Sequence, residues 1–472
     1  MKKHPILVGT LILSSASIIS RIIGFFYRIY LSRAFGAEAL GVLQMTAPIT
    51  AMVTAVSCAG IQTALSKRIS ELKDSDRQGQ SSYLLCSLFW SVGLSCILAA
   101  LVWQFSSFLS NEYLQEPRTE ALLKITALSF PLSAAHGCFS GYYFGRRKTR
   151  VPAISQLIEQ LVRVGCVVAL CSLAATQGWE AFLSFAVLGS AIGELAAVAV
   201  CLISIRAENI RTTPEAHTSP NRHRQPDVHA GFNDCRRPDS LINSSVYFNC
   251  KKHANVLSRT GELFSIAIPL SFNRLALNFL QSLEAVRIPL SLQLYGYSSA
   301  QALTVYGILT GIALPVLFFP GAFLGAFNHM LLPTVSQAQS QKNYGKIRTL
   351  TVNTSFTVVF GGLLCGLAFF MFSDFLGGTV FGEPLAGGYI RSLCLLCPLL
   401  YLNQVLSGIL QGLGKALTIF FINAISVFIR LGFVFFCIPC IGIQGYFYGL
   451  LASQLVTVCL FLSQFIRISR NT

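Results

Sequence analysis

Charge is scarce in this chain, and acid is scarcer still. Only 11% of the residues are charged, against about 25% in soluble domains, which excludes a surface made for water. The 19 acidic residues are set against 35 basic ones. The local patterns that carry catalysis are also missing: there is no glycine-rich nucleotide loop, no His-Glu-x-x-His helix, no serine elbow and no carboxylate pair spaced for sugar transfer. The expectation is therefore no enzyme, no cofactor and no metal site. Any work the protein does must come from an ion gradient or the membrane potential.

Apolar residues dominate instead, at 53% of the chain. Runs of about 20 such residues, each able to cross a hydrocarbon layer roughly 30 Å thick, recur along the whole length. We read twelve, near 6–31, 40–64, 82–108, 121–144, 152–174, 181–204, 261–283, 300–330, 349–373, 388–411, 416–438 and 443–466. The first is too long, and too poor in a small-residue cleavage site, for a removable signal peptide and is expected to stay as a helix. Nearly all of the 15 cysteines fall inside these runs, where a thiol packs as a small hydrophobe. Cys394/Cys397 and Cys437/Cys440 have redox-motif spacing but lack the strand context such motifs need.

The formal charge of +16 is spread in a way that speaks for a membrane and against nucleic acid. Basic residues cluster in alternate loops: Lys2 and Lys3; Lys67, Arg68, Lys73 and Arg77; Arg146, Arg147, Lys148 and Arg150; Lys342, Lys346 and Arg348; Lys415; Arg467 and Arg470. The intervening loops hold chiefly Arg33 and Arg118. That asymmetry places both termini in the cytoplasm of a multi-pass cell-membrane protein. The longest loop falls on the same side. Residues 206–259 are polar and carry proline and histidine, so a disordered linker is expected between lobes 1–205 and 260–472. His217, His223 and His229 repeat within it at six-residue intervals, without the company of a defined metal site.

The two lobes repeat one another. At a constant offset Ser140, Gly141, Gly145, Lys148, Arg163 and Gly165 match Ser407, Gly408, Gly412, Lys415, Arg430 and Gly432. A second register pairs Leu40-Gly-Val-Leu43 with Tyr306-Gly-Ile-Leu309, and Ile69-Ser70 with Val335-Ser336. Copies separated by an even number of spans share one topology, as in all-α transporters built from two parallel six-helix halves around a central cavity. Rocking of the halves then gives alternating access.

Arginine at the bilayer centre costs between about 2.5 and 17 kcal/mol, so it normally faces a partner or a wet cavity. Arg21 and Arg28 stand seven residues apart, which returns a helix to within about 20° and separates them by roughly 10 Å along one face. Gly24 between them offers close backbone approach. Two guanidiniums on one stripe suit an anion with several charged oxygens. Arg28 is near enough to its helix end to reach the surface instead. In the seventh span Arg274 has no acid within one turn, whereas Glu284 and Arg287 are spaced to pair, as a local bridge or a gate. Glu159 and Arg163 have the order of a helical ion pair. Glu194, alone in its span, is a candidate proton or cation coupling site or a neutral buried acid. His136 and His329 read as isolated interior histidines. Arg21, Arg28, Arg163, Arg274, Arg287 and Arg430 outnumber Glu159, Glu194 and Glu284, so a shared cavity is expected to be cationic and to draw anions.

The stretch GTLILSSASIISRIIGFFYRIYLSRAFGAEALGVLQMTAPI resembles the first helical hairpin of the stage V sporulation protein B family. That family is a branch of the multidrug/oligosaccharidyl-lipid/polysaccharide exporter superfamily that includes lipid II flippases. LNFLQSLEAVRIPLSLQLYGYSSAQALTVYGILTGIALPVLFFPGAFLGAFNHMLLPTVSQA is similar to the seventh and eighth helices of the same family. The resemblance implies a V-shaped cavity and a flippase for a polyprenyl-diphosphate-linked saccharide used in spore cortex or cell-wall peptidoglycan. It also implies that Ser20, Arg21, Gly24 and Phe25 match the family's Ser-Arg-x-x-Gly-Phe-x-Arg pattern, whose arginines face the diphosphate. Tyr27 holds the second arginine's place and Arg28 follows it. The implied partners are the lipid-linked glycan precursor, the bilayer and cell-wall synthesis proteins. A cation-coupled multidrug exporter of the same superfamily and a non-transporting scaffold for cortex synthesis are the rival readings.

Overall fold

A backbone threaded through hydrocarbon must satisfy its own hydrogen bonds, and helices do so within each pass. The computed structural model describes residues 5–72, 76–173, 179–212, 244–341 and 343–470. Among these the regular structure is helical throughout. Helix α1 is Pro5–Thr54 and continues through a π-turn, Ala55–Ala59, into α2, Gly60–Glu71. The rest of the first half is α3 (Arg77–Gln104), α4 (Thr119–Gly145), α5 (Arg150–Leu173) and α6 (Trp179–Thr212). The second half opens with α7 (Ser244–Tyr295) and α8 (Ser299–Gly307), the latter prolonged by a π-turn and the segment Leu314–Phe318. It continues with α9 (Gly321–Ser340), α10 (Tyr344–Asp374), α11 (Pro384–Leu393), α12 (Cys397–Gly412), α13 (Ala416–Phe436) and α14 (Ile443–Arg470).

Eleven of the described helical stretches are long and apolar enough to cross a membrane. Twelve passes follow, because the first of them, Ile12–Glu71, holds two. It breaks at Gly36, whose φ of 78° and ψ of 174° lie outside any helix. Within the expected linker 206–259, α6 runs to Thr212 and α7 begins at Ser244; residues 213–243 lie outside the described residues. His217, His223, His229 and Cys235 lie outside the described residues, as do the side chains of Cys250 and His329. Cys394, Cys397, Cys437 and Cys440 are all free thiols.

The sequence repeat is visible as a contact. Gly41 and Gly307, which occupy the same place in the two copies, meet across the lobe boundary with backbone against backbone. A Cβ on Gly41 would lie 2.2 Å from the Leu303 carbonyl oxygen, and one on Gly307 would lie 2.0 Å from that of Ala37. Residue i touches the copy of itself, the signature of a two-fold axis running through the crossing. In hydrocarbon such approach depends on small residues, since no hydrophobic effect drives helices together there.

The Gly36 end of the molecule is sealed around this crossing. Ser32 Oγ donates to the Phe381 carbonyl at 3.0 Å, and Arg33 donates to the carbonyls of Val380 and Thr379. The Ala37 N–H is received by Glu383 Oε1 at 3.2 Å. Farther along, α2 packs on α7, where Gly60 sits against Ala267 and Ser271.

Gly307→Val is expected to lower the stability of the purified protein by about 1–3 kcal/mol, the usual cost of overpacking. Gly24→Ala, whose added Cβ meets nothing within 4 Å, is expected to melt within a degree or two of the parent. Thermal unfolding in detergent checks both.

Candidate functional site

Two adjoining chambers lie between the lobes, one of about 630 Å³ and one of about 590 Å³. Arg21 and Phe318 line both and so mark where they join. The first chamber is walled by α1 with Arg21, Gly24, Tyr27 and Arg28, and by α5 with Gln156, Gln160 and Arg163. Positions 21, 24 and 28 share one helical stripe, and that stripe faces the chamber. Arg21 is exposed within it and Arg28 half-buried. Neither makes an ion pair among the described residues. Tyr27 and Arg28 line the same space, so the one-residue displacement from the flippase pattern keeps the charge in the chamber. Gly24 leaves open room beside the two guanidiniums.

The second chamber has a different chemistry. Gln281 of α7, Asn403 and Gln404 of α12, Asn423 of α13 and Gln454 of α14 line it, with Ser407, Ser426 and Thr457. These are neutral donors and acceptors; the charged residues on the chamber's wall are Arg21 and Arg430. Asn403 donates to Gln454 Oε1 at 2.6 Å and to the Gln454 carbonyl at 3.1 Å, while its own Oδ1 is buried with no partner.

Several expected charges are spoken for. Arg163 pairs with Glu159 at 2.5 Å, although its Nε, buried, has no partner. Glu284 does not pair with Arg287. Both its oxygens take the fork of Arg430, at 2.7 and 2.9 Å, and Tyr446 donates its hydroxyl to Oε1 at 2.9 Å. A bidentate, hydrogen-bonded carboxylate outcompetes a single contact three residues along the same helix. Arg287 instead lies over the Phe435 ring, 4.8 Å from its centroid, and lines neither chamber. The expected substrate role for Arg287 and the expected Glu284–Arg287 bridge are thereby corrected. Arg274 is exposed and also lines neither chamber. It shares a stripe with Leu277 and Gln281, which do, at roughly 10 Å from Gln281 along the helix. The surplus of six arginines over three glutamates shrinks to two unpaired guanidiniums in the chambers, Arg21 and Arg28.

His136 is the residue that sequence reasoning set aside too soon. It is not isolated: on α4 it meets Glu194 of α6, with Nδ1 3.1 Å from Oε2, and Glu159 of α5 at 3.7 Å. Its Nε2 is 3.1 Å from Ser155 Oγ. Gly193 lets α6 close on α5, since a Cβ there would meet the Glu159 carbonyl oxygen at 2.8 Å. The spacing of Ser155, Glu159 and Arg163 already put those three on one stripe. Only packing brings His136 and Glu194 to it.

Comparison with known proteins places this geometry. Residues 6–224 match the family model for polysaccharide biosynthesis proteins, and residues 269–436 match the MatE model. Over 449 residues the chain is 25% identical to stage V sporulation protein B of Bacillus subtilis (strain 168), spanning 94% of this chain and 80% of that protein. An inward-facing multidrug resistance MATE transporter of the MOP superfamily superposes with a TM-score of 0.64 at 14% identity, covering 98% of each chain. The chain is similar to polysaccharide biosynthesis proteins in its first half and has the fold of transporters of the MOP superfamily. A second member, from Pyrococcus furiosus, superposes with a TM-score of 0.60 at 14% identity over 99% of this chain and 97% of that one; the reversed polarity of its own pocket suggests a different function for it. At these identities the solved members establish the two-lobed fold alone. The expectation of a transporter in place of an enzyme agrees with the two solved relatives, both MOP transporters.

The Glu284–Arg430 pair is buried and bonded at both carboxylate oxygens. Glu284→Gln and Arg430→Met are each expected to destabilise by about 3–5 kcal/mol, because each strands a buried charge or its fork. The double variant is expected to lose less than the sum of the two. Melting temperatures of the four proteins in a double-mutant cycle measure the difference.

Proposed function

We propose that the protein flips a polyprenyl-diphosphate-linked saccharide outward across the cell membrane, for spore cortex or cell-wall peptidoglycan. The observation that carries this reading is the pair of unpartnered arginines, Arg21 and Arg28, on one stripe of a chamber wall that holds no free acid among the described residues. A diphosphate offers several charged oxygens to two planar forks. The adjoining amide- and hydroxyl-lined chamber suits the neutral, hydroxyl-rich saccharide attached to it. Glu159 and Glu284 are held by Arg163 and Arg430, so the chambers have little to draw a cationic drug.

With both termini cytoplasmic, as the basic loops suggest, the sealed Gly36 end faces outward and the chambers await substrate from the inner leaflet. The name of the Bacillus subtilis relative points to sporulation. Arg274, beyond Gln281 on the chamber-facing stripe of α7, would meet the diphosphate on its way in.

Arg21→Ala and Arg28→Ala are expected to slow translocation of a fluorescent undecaprenyl-diphosphate disaccharide in reconstituted vesicles at least tenfold each. Arg287→Ala is expected to stay within about twofold of the parent. Unchanged rates for both chamber variants, or efflux of cationic dyes in their place, would refute the reading.

A further inference from the structure

Hydrogen-bond accounting at His136 leaves one proton unassigned. Ser155 Oγ lies 3.0 Å from the Pro152 carbonyl oxygen, which can only accept, so the hydroxyl hydrogen goes there. Ser155 must then receive a hydrogen bond from His136, and Nε2 carries a hydrogen. A neutral ring with its hydrogen on Nε2 turns a bare lone pair on Nδ1 toward Glu194 Oε2, 3.1 Å away. A carboxylate oxygen and a bare ring nitrogen repel at that distance. A second proton has to sit between them.

The charge count agrees. Glu159 and Glu194 contribute two negative charges and Arg163 one positive charge. A buried cluster of this kind is one positive charge short, and low dielectric makes the deficit costly. The groups around His136 are Ser155, Glu159 and Arg163 on α5, Glu194 on α6, and Cys58 on the π-turn after α1, whose thiol faces the Ser133 carbonyl. Arg274 of α7 is exposed and makes no ion pair with the cluster among the described residues.

We propose that His136 is an imidazolium in this conformation, forming with Glu194 and Glu159 a one-proton binding site that the transporter uses for coupling. Arg163 ties that site to the substrate chamber. Its guanidinium holds Glu159 on one side and lines the first chamber on the other, with Nε still unpaired. An anion arriving at Arg163 draws it from Glu159, which leaves that carboxylate to His136 and strengthens its hold on the proton. By linkage, the proton strengthens anion binding equally. Loss of the proton frees α4 from α6. The coupling role rests on the transporter reading given above; the occupancy of the site by a proton does not.

The test is nitrogen-15 spectroscopy of histidine-labelled full-length protein in nanodiscs at pH 7, with the His136 signal identified by its loss in His136→Gln. Both ring nitrogens are expected to carry hydrogen in the parent, and Glu194→Gln is expected to convert the ring to the neutral form with hydrogen on Nε2. A neutral ring in the parent would overturn the proposal, as would an imidazolium that turns neutral when sodium chloride replaces choline chloride, since a metal ion would then own the site. In vesicles, a pH gradient is expected to change the parent's translocation rate at least threefold, and His136→Gln is expected to lose that response. A response that survives in His136→Gln would remove the coupling role while leaving the diphosphate reading intact.

Discussion

Guanidinium groups in a membrane interior must be paired or wet, and this protein does both in different places. Arg163 and Arg430, equivalent in the two copies of the repeat, are given acids. Arg21 and Arg28 are left open to a shared cavity. The cost of an unpaired arginine at bilayer depth is several kcal/mol at least, so leaving two of them exposed to the same space is a constraint the surrounding fold has to meet. It does so by leaving the two chambers open between the lobes, which stay in backbone contact at the Gly41–Gly307 crossing and again where Gly60 meets Ala267.

The matched arginines also show how two copies of one ancestral lobe diverge. Arg163 finds Glu159 one turn back on its own helix, while Arg430 reaches across to Glu284 on α7 and to the hydroxyl of Tyr446. The first arrangement leaves a guanidinium edge in the chamber and connects onward to His136. The second is held at both carboxylate oxygens, with Arg430 at the wall of the second chamber. One lobe therefore retains a responsive charge cluster, and the other has a locked one beside a chamber of neutral amides. That asymmetry fits a ligand with a charged part and a hydroxyl-rich part.

Much of the fold was legible because its signals are local. Apolar run length gives the passes, and the repeat gives two lobes with a shared topology. The stripe of Arg21, Gly24 and Arg28 needed only helical geometry to be placed on one face. The break at Gly36 was legible as the gap between the runs 6–31 and 40–64, where Ser32, Arg33 and Glu38 interrupt the apolar residues. Pairings across helices were less accessible. Glu284 was three residues from one arginine and 146 from another, and the distant one won through bidentate geometry and a tyrosine hydroxyl. His136 looked solitary because its partners lie on two other helices. The meeting of Gly41 with Gly307 was implicit in the second register of the repeat, yet only three-dimensional packing reveals that a matched pair sits on the symmetry axis.

The central claim is that Arg21 and Arg28 grip phosphate oxygens. A structure of the protein bound to a polyprenyl-diphosphate saccharide tests it most directly. Diphosphate oxygens are expected within about 3 Å of both guanidiniums, the ordinary length of a charge-assisted hydrogen bond, with the saccharide against Asn403 and Gln454. A diphosphate bound elsewhere, with both arginines hydrated only, would contradict it.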